Sequence, residues 1–393
     1  MSIWWPVLRA LKLSLLRAAR ALGVFTVVSR SRRRSRQLLI LCYHGISIDE
    51  EHEWAPGLFM SADIFESRLE RLRLGGYRVL PLGEAVARLA AGTLPPRSVA
   101  ITFDDGNVDF HRQAWPLLQE YGVPATVYLT TYYCENNLPV FTLVLSFLLW
   151  KGRGTRVQVE LASGECMLLD ATSPESRGRS QSMLLALAQD EGMSAVEKDD
   201  LALRVARAMR VDYDDIRDRR LLHIMNPDEV RELAAQGVDF QLHTHRHRSP
   251  LDEERYRAEL ALNRERIRAM TGTFPRHFCY PSGTHKPRFE QWLGGEGIIS
   301  ATTCEPGIAT RSSHCLRLPR LLDHSTLTDL EFEAWLCGLG ALLPHRRIGA
   351  QDVDRDGHLV IERVSAPRSA AVSPGVAAMS RIDREVILSG EPT

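Results

Sequence analysis

The sequence predicts an α/β fold in which parallel strands alternate with helices, the sheet being either open or closed into a barrel. Three observations predict it. Short apolar runs of strand length recur along the chain, and most are followed by a stretch with helical spacing. Glycines stand where those helices should stop, at Gly75-Gly76, Gly122 and Gly237. The 393 residues are 44% hydrophobic and 25% charged, an ordinary globular balance with room for one large domain and its appendages, or for two domains.

Residues 38–43 (LLILCY) form the first buried-strand run. Ser61 can cap a helix whose inner face is Phe65, Leu69 and Leu72. Strands follow at 77–82 and 99–103, with a helix at 82–89 between them. A helix at 114–121 and a strand at 125–129 come next. The rhythm then breaks at about Cys134 and resumes at Asn226. The stretch between holds a hairpin, 156–160 with 166–169 across Ala-Ser-Gly, and helices around 180–189 and 201–209. It reads as an insertion on the rim of the sheet. Asn226-Pro227-Asp228-Glu229 opens a new helix with a cap, a proline at the first position and acids in the first turn. Strands are then expected at 238–242, 276–280, 298–302 and 316–321.

Charge is distributed unevenly. No acid precedes Asp49, yet nine basic residues do, from Arg9 to Arg36. With Trp4, Trp5 and a series of leucines among them, residues 1–37 read as a basic amphipathic segment. Its apolar runs are too short to span a bilayer. The seven cysteines are scattered, and Cys42, Cys134, Cys279, Cys304 and Cys337 read as core filling. An odd, unpaired set favours a reducing compartment. Residues 352–357 imitate the start of a calcium loop, but a polar turn is the better reading. The tail at 346–393 is expected to be mobile.

Two sequence features carry chemistry. Asp104 and Asp105 stand at the end of a strand and before Gly106, on the side of a β/α barrel where active sites are built. His243 and His247 also follow a strand directly. Their spacing of four can bring both imidazoles to one ion, and with a carboxylate they leave positions open for water and substrate.

Thr102-Phe103-Asp104-Asp105-Gly106 and His243-Thr244-His245-Arg246-His247 resemble the first two motifs of the polysaccharide deacetylase (NodB-like) family. Leu41–Gly45, Gly76–Leu80, Gly122–Thr126 and Phe278–Gly283 are similar to it as well, so the resemblance runs from about 38 to 325. It implies a distorted (β/α) barrel at 38–345 with a rim insertion at about 134–225, and a metal-dependent hydrolase that removes N-acetyl groups from a glycan. Asp105, His243 and His247 would hold a divalent metal, with Zn2+ favoured, and Asp104 would be the general base. Backbone around Tyr280, Pro281, Ser282 and Gly283 would stabilise the oxyanion. The general acid would be His324, in Leu322-Asp323-His324, or His44. One departure stands out: where the family carries an arginine that steadies the base, this chain has Cys279, with Arg276 as a weak substitute.

The resemblance leaves two other readings open: a deacylase or deformylase of a lipid-linked sugar, and a catalytically weakened carbohydrate-binding barrel. The basic segment predicts peripheral association with the inner face of the membrane from the cytoplasm, an exported form being less favoured. No nucleic-acid partner is expected, because the basic cluster is confined to the arm.

Overall fold

The structure is a computed structural model that describes residues 4–343, with side chains from residue 8. Seven strands form a closed parallel barrel: β1 (Leu39–Tyr43), β2 (Ser98–Asp105), β3 (Thr126–Leu129), β4 (Asp239–Leu242), β5 (His277–Cys279), β6 (Ser300–Pro306) and β7 (Leu318–Leu322). Each pairs with the next in chain order, and β7 pairs with β1 to close the ring. The strand expected at 77–82 shrinks to Arg78–Val79. It pairs with Ser98 and Val99, on the edge of β2 that β3 occupies from Thr102 onward, so it lies below the ring.

Alternation along the strands separates two cores. Leu39, Leu41, Tyr43, Val99, Ile101 and Phe103 face the surrounding helices and pack with Phe65, Leu69 and Leu72. Those three come from helix Ala62–Leu74, which Ser61 caps by accepting from the Ile64 N–H. Burying each such side chain contributes about 1.5–3 kcal/mol. Ile40, Ala100, Tyr128, Cys279 and Leu318 belong to a second cluster inside the barrel, which Leu82, Ala85 and Leu89 of helix Leu82–Ala91 extend.

The stretch between β3 and β4 folds around its own core. The hairpin pairs Arg156–Glu160 with Cys166–Asp170. Phe141, Leu145, Leu148, Leu184, Val205 and Met209 are buried together. Helix Phe141–Lys151 was not legible as one because it is apolar nearly all round and shows no period. Asn226 caps helix Pro227–Ala235 through Asp228 and Glu229, while Glu229 accepts from the Asn226 N–H.

The N-terminal arm forms helices Trp4–Ala21 and Val24–Ser29. Leu16 and Phe25 pack on Ala334 and Cys337 of helix Asp329–Cys337. Lys12 pairs with Glu331 at 2.9 Å and Arg20 with Glu333 at 3.1 Å. Arg34 is buried and donates to the carbonyls of Leu336, Gln37 and Ser98. Leu8, Leu11, Leu15, Leu22 and Val27 stay exposed. Among the described residues no helix is long and apolar enough to cross a membrane. The turn at 352–357 and the tail at 346–393 lie outside the described residues.

Candidate active site

Every residue singled out for chemistry lies just beyond, or at, the C-terminal end of a barrel strand. Asp104 and Asp105 are both within β2, paired with Tyr128 and Leu129. Strand alternation alone would send them to opposite faces. The chain resolves this at Asp105, whose φ is 69°, and the Gly106 N–H closes a three-residue turn on the Asp104 carbonyl at 2.8 Å. Such a turn is rare and strained, and strain of this kind collects at functional sites.

Asp104 points into the barrel. Arg320 on β7 grips it with two parallel bonds, Nη1 to Oδ1 and Nη2 to Oδ2, both 2.7 Å. Arg320 also donates to the Thr303 carbonyl and Thr102 Oγ1. Burial alone would raise the Asp104 pKa, but the guanidinium outweighs it and holds the carboxyl well below the usual range. The arginine missing at Cys279 is therefore supplied from a different strand, and Arg276 is not involved in this clamp. The thiols expected to be plain core filling are in part otherwise placed. Cys42 and Cys279 lie 3.5 and 3.4 Å from Asp104 Oδ2, and Arg320 Nη2 is 3.1 Å from the Cys279 sulfur.

Asp105 meets the two histidines. Its Oδ1 is 3.3 Å from Nε2 of His243 and 3.3 Å from Nε2 of His247. One ligand atom from each of the three lies within 4.8 Å of the others. Burial would raise the Asp105 pKa, but His247 and His243 pull it below the usual carboxylate range. The donor set fits a divalent metal on a further observation. The His243 Nδ1–H donates to the Cys279 carbonyl at 2.9 Å, since a carbonyl can only accept, and this turns the Nε2 lone pair toward Asp105. His247 (φ 55°) and Thr244 (φ 61°) adopt left-handed backbone, which curls the loop so that both rings face one point.

The loop is held from behind by helix Glu253–Thr271. Asn263 is fully buried, accepts from the His243 N–H and donates to the Leu129 carbonyl and Thr131 Oγ1. Glu259 accepts from the Arg246 N–H and side chain. Sequence reasoning missed Arg320, Asn263 and Glu259. The signal was a polar residue at an inward position of an otherwise apolar strand or stripe, which is informative only once the partner is known.

The remaining residues separate. His44 Nε2 lies 3.9 Å from Asp104 Oδ2, and its buried Nδ1 has no hydrogen-bond partner among the described residues. His324 bonds Thr326 and sits toward Arg68 and Glu331, and no contact of it with the metal-ligating set is seen. Of the four residues from Tyr280 to Gly283, two have their N–H groups engaged: Tyr280 with the Thr302 carbonyl and Gly283 with the Tyr280 carbonyl. Pro281 has none. Ser282, at φ 55°, keeps an N–H free of backbone bonding among the described residues.

The sequence pattern of the polysaccharide deacetylase family matches residues 91–171 and 185–294. A stretch of 94 residues, 24% of this chain, is 35% identical to YxkH of Bacillus subtilis strain 168 and spans 32% of that protein. A stretch of 72 residues, 18% of the chain, is 35% identical to the poly-beta-1,6-N-acetyl-D-glucosamine N-deacetylase of Staphylococcus aureus and spans 25% of it. The chain thus spans about a third or less of the length of these relatives. The fold is similar to that of the Streptococcus pyogenes deacetylase PplD, solved in complex with acetate, with a TM-score of 0.51 over 77% of this chain and 98% of that one at 18% identity. The rim motifs and the matched pattern are those of the polysaccharide deacetylase family, and the barrel agrees with it.

Proposed function

We propose that this protein is a metal-dependent hydrolase that removes N-acetyl groups from amino-sugar residues of a polysaccharide or oligosaccharide. The observation that carries this reading is one three-ligand set, Asp105–His243–His247, beside a separate carboxylate, Asp104, that Arg320 keeps ionised. Asp105, His243 and His247 would hold a divalent ion, with zinc favoured by two imidazoles and one carboxylate, and such an ion would lower the pKa of water toward about 7 and polarise the acyl carbonyl. Asp104 accepts the proton of the attacking water. His44, beside Asp104, delivers a proton to the leaving amine nitrogen. The Ser282 N–H is the donor left for the oxyanion. The Staphylococcus aureus relative's name supports an N-acetylglucosamine polymer as the substrate class. The weakened-barrel reading rested on the missing arginine, and Arg320 removes its reason.

The test is acetate release from N-acetylglucosamine oligosaccharides by the zinc-loaded full chain. Release should stop on chelation. It should also stop in Asp104→Asn, which removes the base but keeps its shape, with bound metal unchanged. A metal-loaded wild-type protein that frees no acetate from any N-acetylated glycan sinks the reading.

We also propose that the protein works at the inner face of a membrane. The outward stripe of Leu8, Leu11, Leu15 and Leu22, set among exposed arginines, supports this, as do seven free cysteines.

A further inference from the structure

The loop that carries the metal ligands alternates with arginines: His245, Arg246, His247, Arg248. The two arginines and the rim insertion together line a recess beside the site. Its other walls include Tyr132, Tyr133, Lys198 and Tyr213. Tyr132 and Tyr133 open the short helix Tyr132–Asn136, and the Tyr132 N–H donates to the His245 carbonyl, so this wall is built onto the metal loop itself. Tyr133 lies within electrostatic reach of both Arg248 and Asp105, which places the recess next to the proposed metal site. Lys198 comes from the first turn of helix Ala195–Met209 in the insertion, whose N-terminal residue Ala195 also lines the recess. The positive end of that helix adds to the same sign of potential.

The charges in this recess do not cancel. Arg246 is matched by Glu259 at 2.8 Å and lies over the Tyr132 ring. Asp199, the one acid on the wall, accepts from the Tyr213 hydroxyl and pairs with Arg217. Lys198 and Arg248 line the same recess within electrostatic reach of each other, and no ion pair joins either to a carboxylate among the described residues. Burial and the neighbouring Arg248 push the Lys198 pKa down, as expected for two cations that lack an anion. Two half-buried like charges flanked by tyrosines form a site for an anion attached to something with a flat or apolar face, such as a sugar ring.

We propose that this recess binds an acidic group, a phosphate or a carboxylate, carried by the glycan close to the residue whose amide is hydrolysed. The proposal rests on the deacetylase reading for the identity of the substrate, not for the existence of the anion site. It gives the insertion a role, since Lys198 and Tyr213 come from it.

The experiment uses the zinc-loaded full chain and three substrates: a neutral N-acetylglucosamine tetramer, a tetrasaccharide alternating N-acetylglucosamine with glucuronate, and N-acetylglucosamine on a short-chain prenyl diphosphate. Acetate release gives kcat and KM, and calorimetry gives binding without turnover. At least one acidic substrate should be preferred over the neutral one by about tenfold or more in KM, and Lys198→Ala and Arg248→Ala should each reduce that preference by about tenfold. Arg248→Lys, which keeps the charge, should retain most of it and guards against misfolding of the alanine variant. The acidic substrate that wins identifies the source, uronate or phosphate. Equal KM values for all three in the wild type, or a preference unchanged in both alanine variants, overturns the proposal while leaving deacetylation standing. Tight, Lys198-dependent binding of an acidic glycan without acetate release upholds the site and overturns the deacetylase reading instead.

Discussion

Asp104 and Asp105 are neighbours in the chain and have different surroundings, and the difference assigns their roles. Asp105 is turned out by a strained backbone toward two imidazoles, while Asp104 stays in the strand's ordinary inward direction and meets a guanidinium. Arg320 therefore should act through Asp104. Arg320→Met leaves a buried carboxylate unpaired, which costs roughly 3–5 kcal/mol of stability, and turnover should fall with it. Thermal unfolding and acetate release check both, and a variant of normal stability and rate removes the clamp from the argument. The same kind of geometry favours His44 as the proposed proton donor. His44 is beside Asp104, whereas His324 bonds Thr326. His44→Ala should cut turnover by about 10²–10⁴-fold with bound metal unchanged, and His324→Ala should leave it near normal. The reverse result returns the role to His324. The motif residues were legible in the sequence because short-range patterns carry them. Arg320 was not: it lies 216 residues from Asp104, and nothing in Leu-Pro-Arg-Leu-Leu marks it as the arginine that turns inward.

At the scale of elements, the strands of the ring were legible because a strand buried on both faces is a continuous apolar run. Their closure was not, since alternating strands and helices serve an open sheet equally well. Helix Glu253–Thr271 was missed for a physical reason. It carries Arg and Glu on most of its surface, and only Tyr256, Glu259, Leu260, Asn263 and Ile267 are buried. Two of those buried positions are polar, Glu259 and Asn263, and both hold the loop of the site. Asn263 connects the His243 N–H to the Leu129 carbonyl at the end of β3, so one side chain fixes the spacing between two rim loops. Asn263→Leu would leave both backbone groups buried without partners, at about 1–3 kcal/mol each. Metal affinity should fall by roughly 10–100-fold, as for other partners that orient metal ligands. Zinc titration of the purified variant measures this, and unchanged affinity would mean that the loop holds its own shape.

The whole molecule has two seams, one where the insertion meets the barrel and one where the arm does. At the first, the His223 carbonyl accepts from the Val108 N–H, and the imidazole is buried. Burial, and less strongly Arg220, lower its pKa to about 4 from 6.5. Below about 6.5 the unfolded chain binds this proton and the folded one does not, so His223 stabilises the fold above that pH and the contribution is lost as pH falls toward 4. The full effect is about 3 kcal/mol. His223→Gln should therefore flatten the fall in unfolding midpoint between pH 7 and 4.5, and an unchanged slope would remove His223 as its source. The second seam shows why cutting the chain at Gln37 is a poor test of the arm. Arg34, Leu16 and Phe25 are buried against the barrel's last helix, so a shortened chain loses part of its core. One face of the arm thus packs on the barrel. The other face keeps Leu8, Leu11, Leu15 and Leu22 in solvent, along with Arg17 and Arg20. An apolar stripe of this kind, rimmed by arginines, suits the headgroup boundary of anionic lipid. The sharper variant changes only that stripe, with all four leucines replaced by glutamine. The wild type should float with vesicles containing phosphatidylglycerol and come off at high salt, while neutral vesicles should capture less of it. The fourfold variant should stay in the soluble fraction, with its unfolding midpoint and acetate release on soluble oligosaccharides retained. Binding that persists in the variant, or a wild type that ignores anionic vesicles, would show that the stripe faces something other than a membrane.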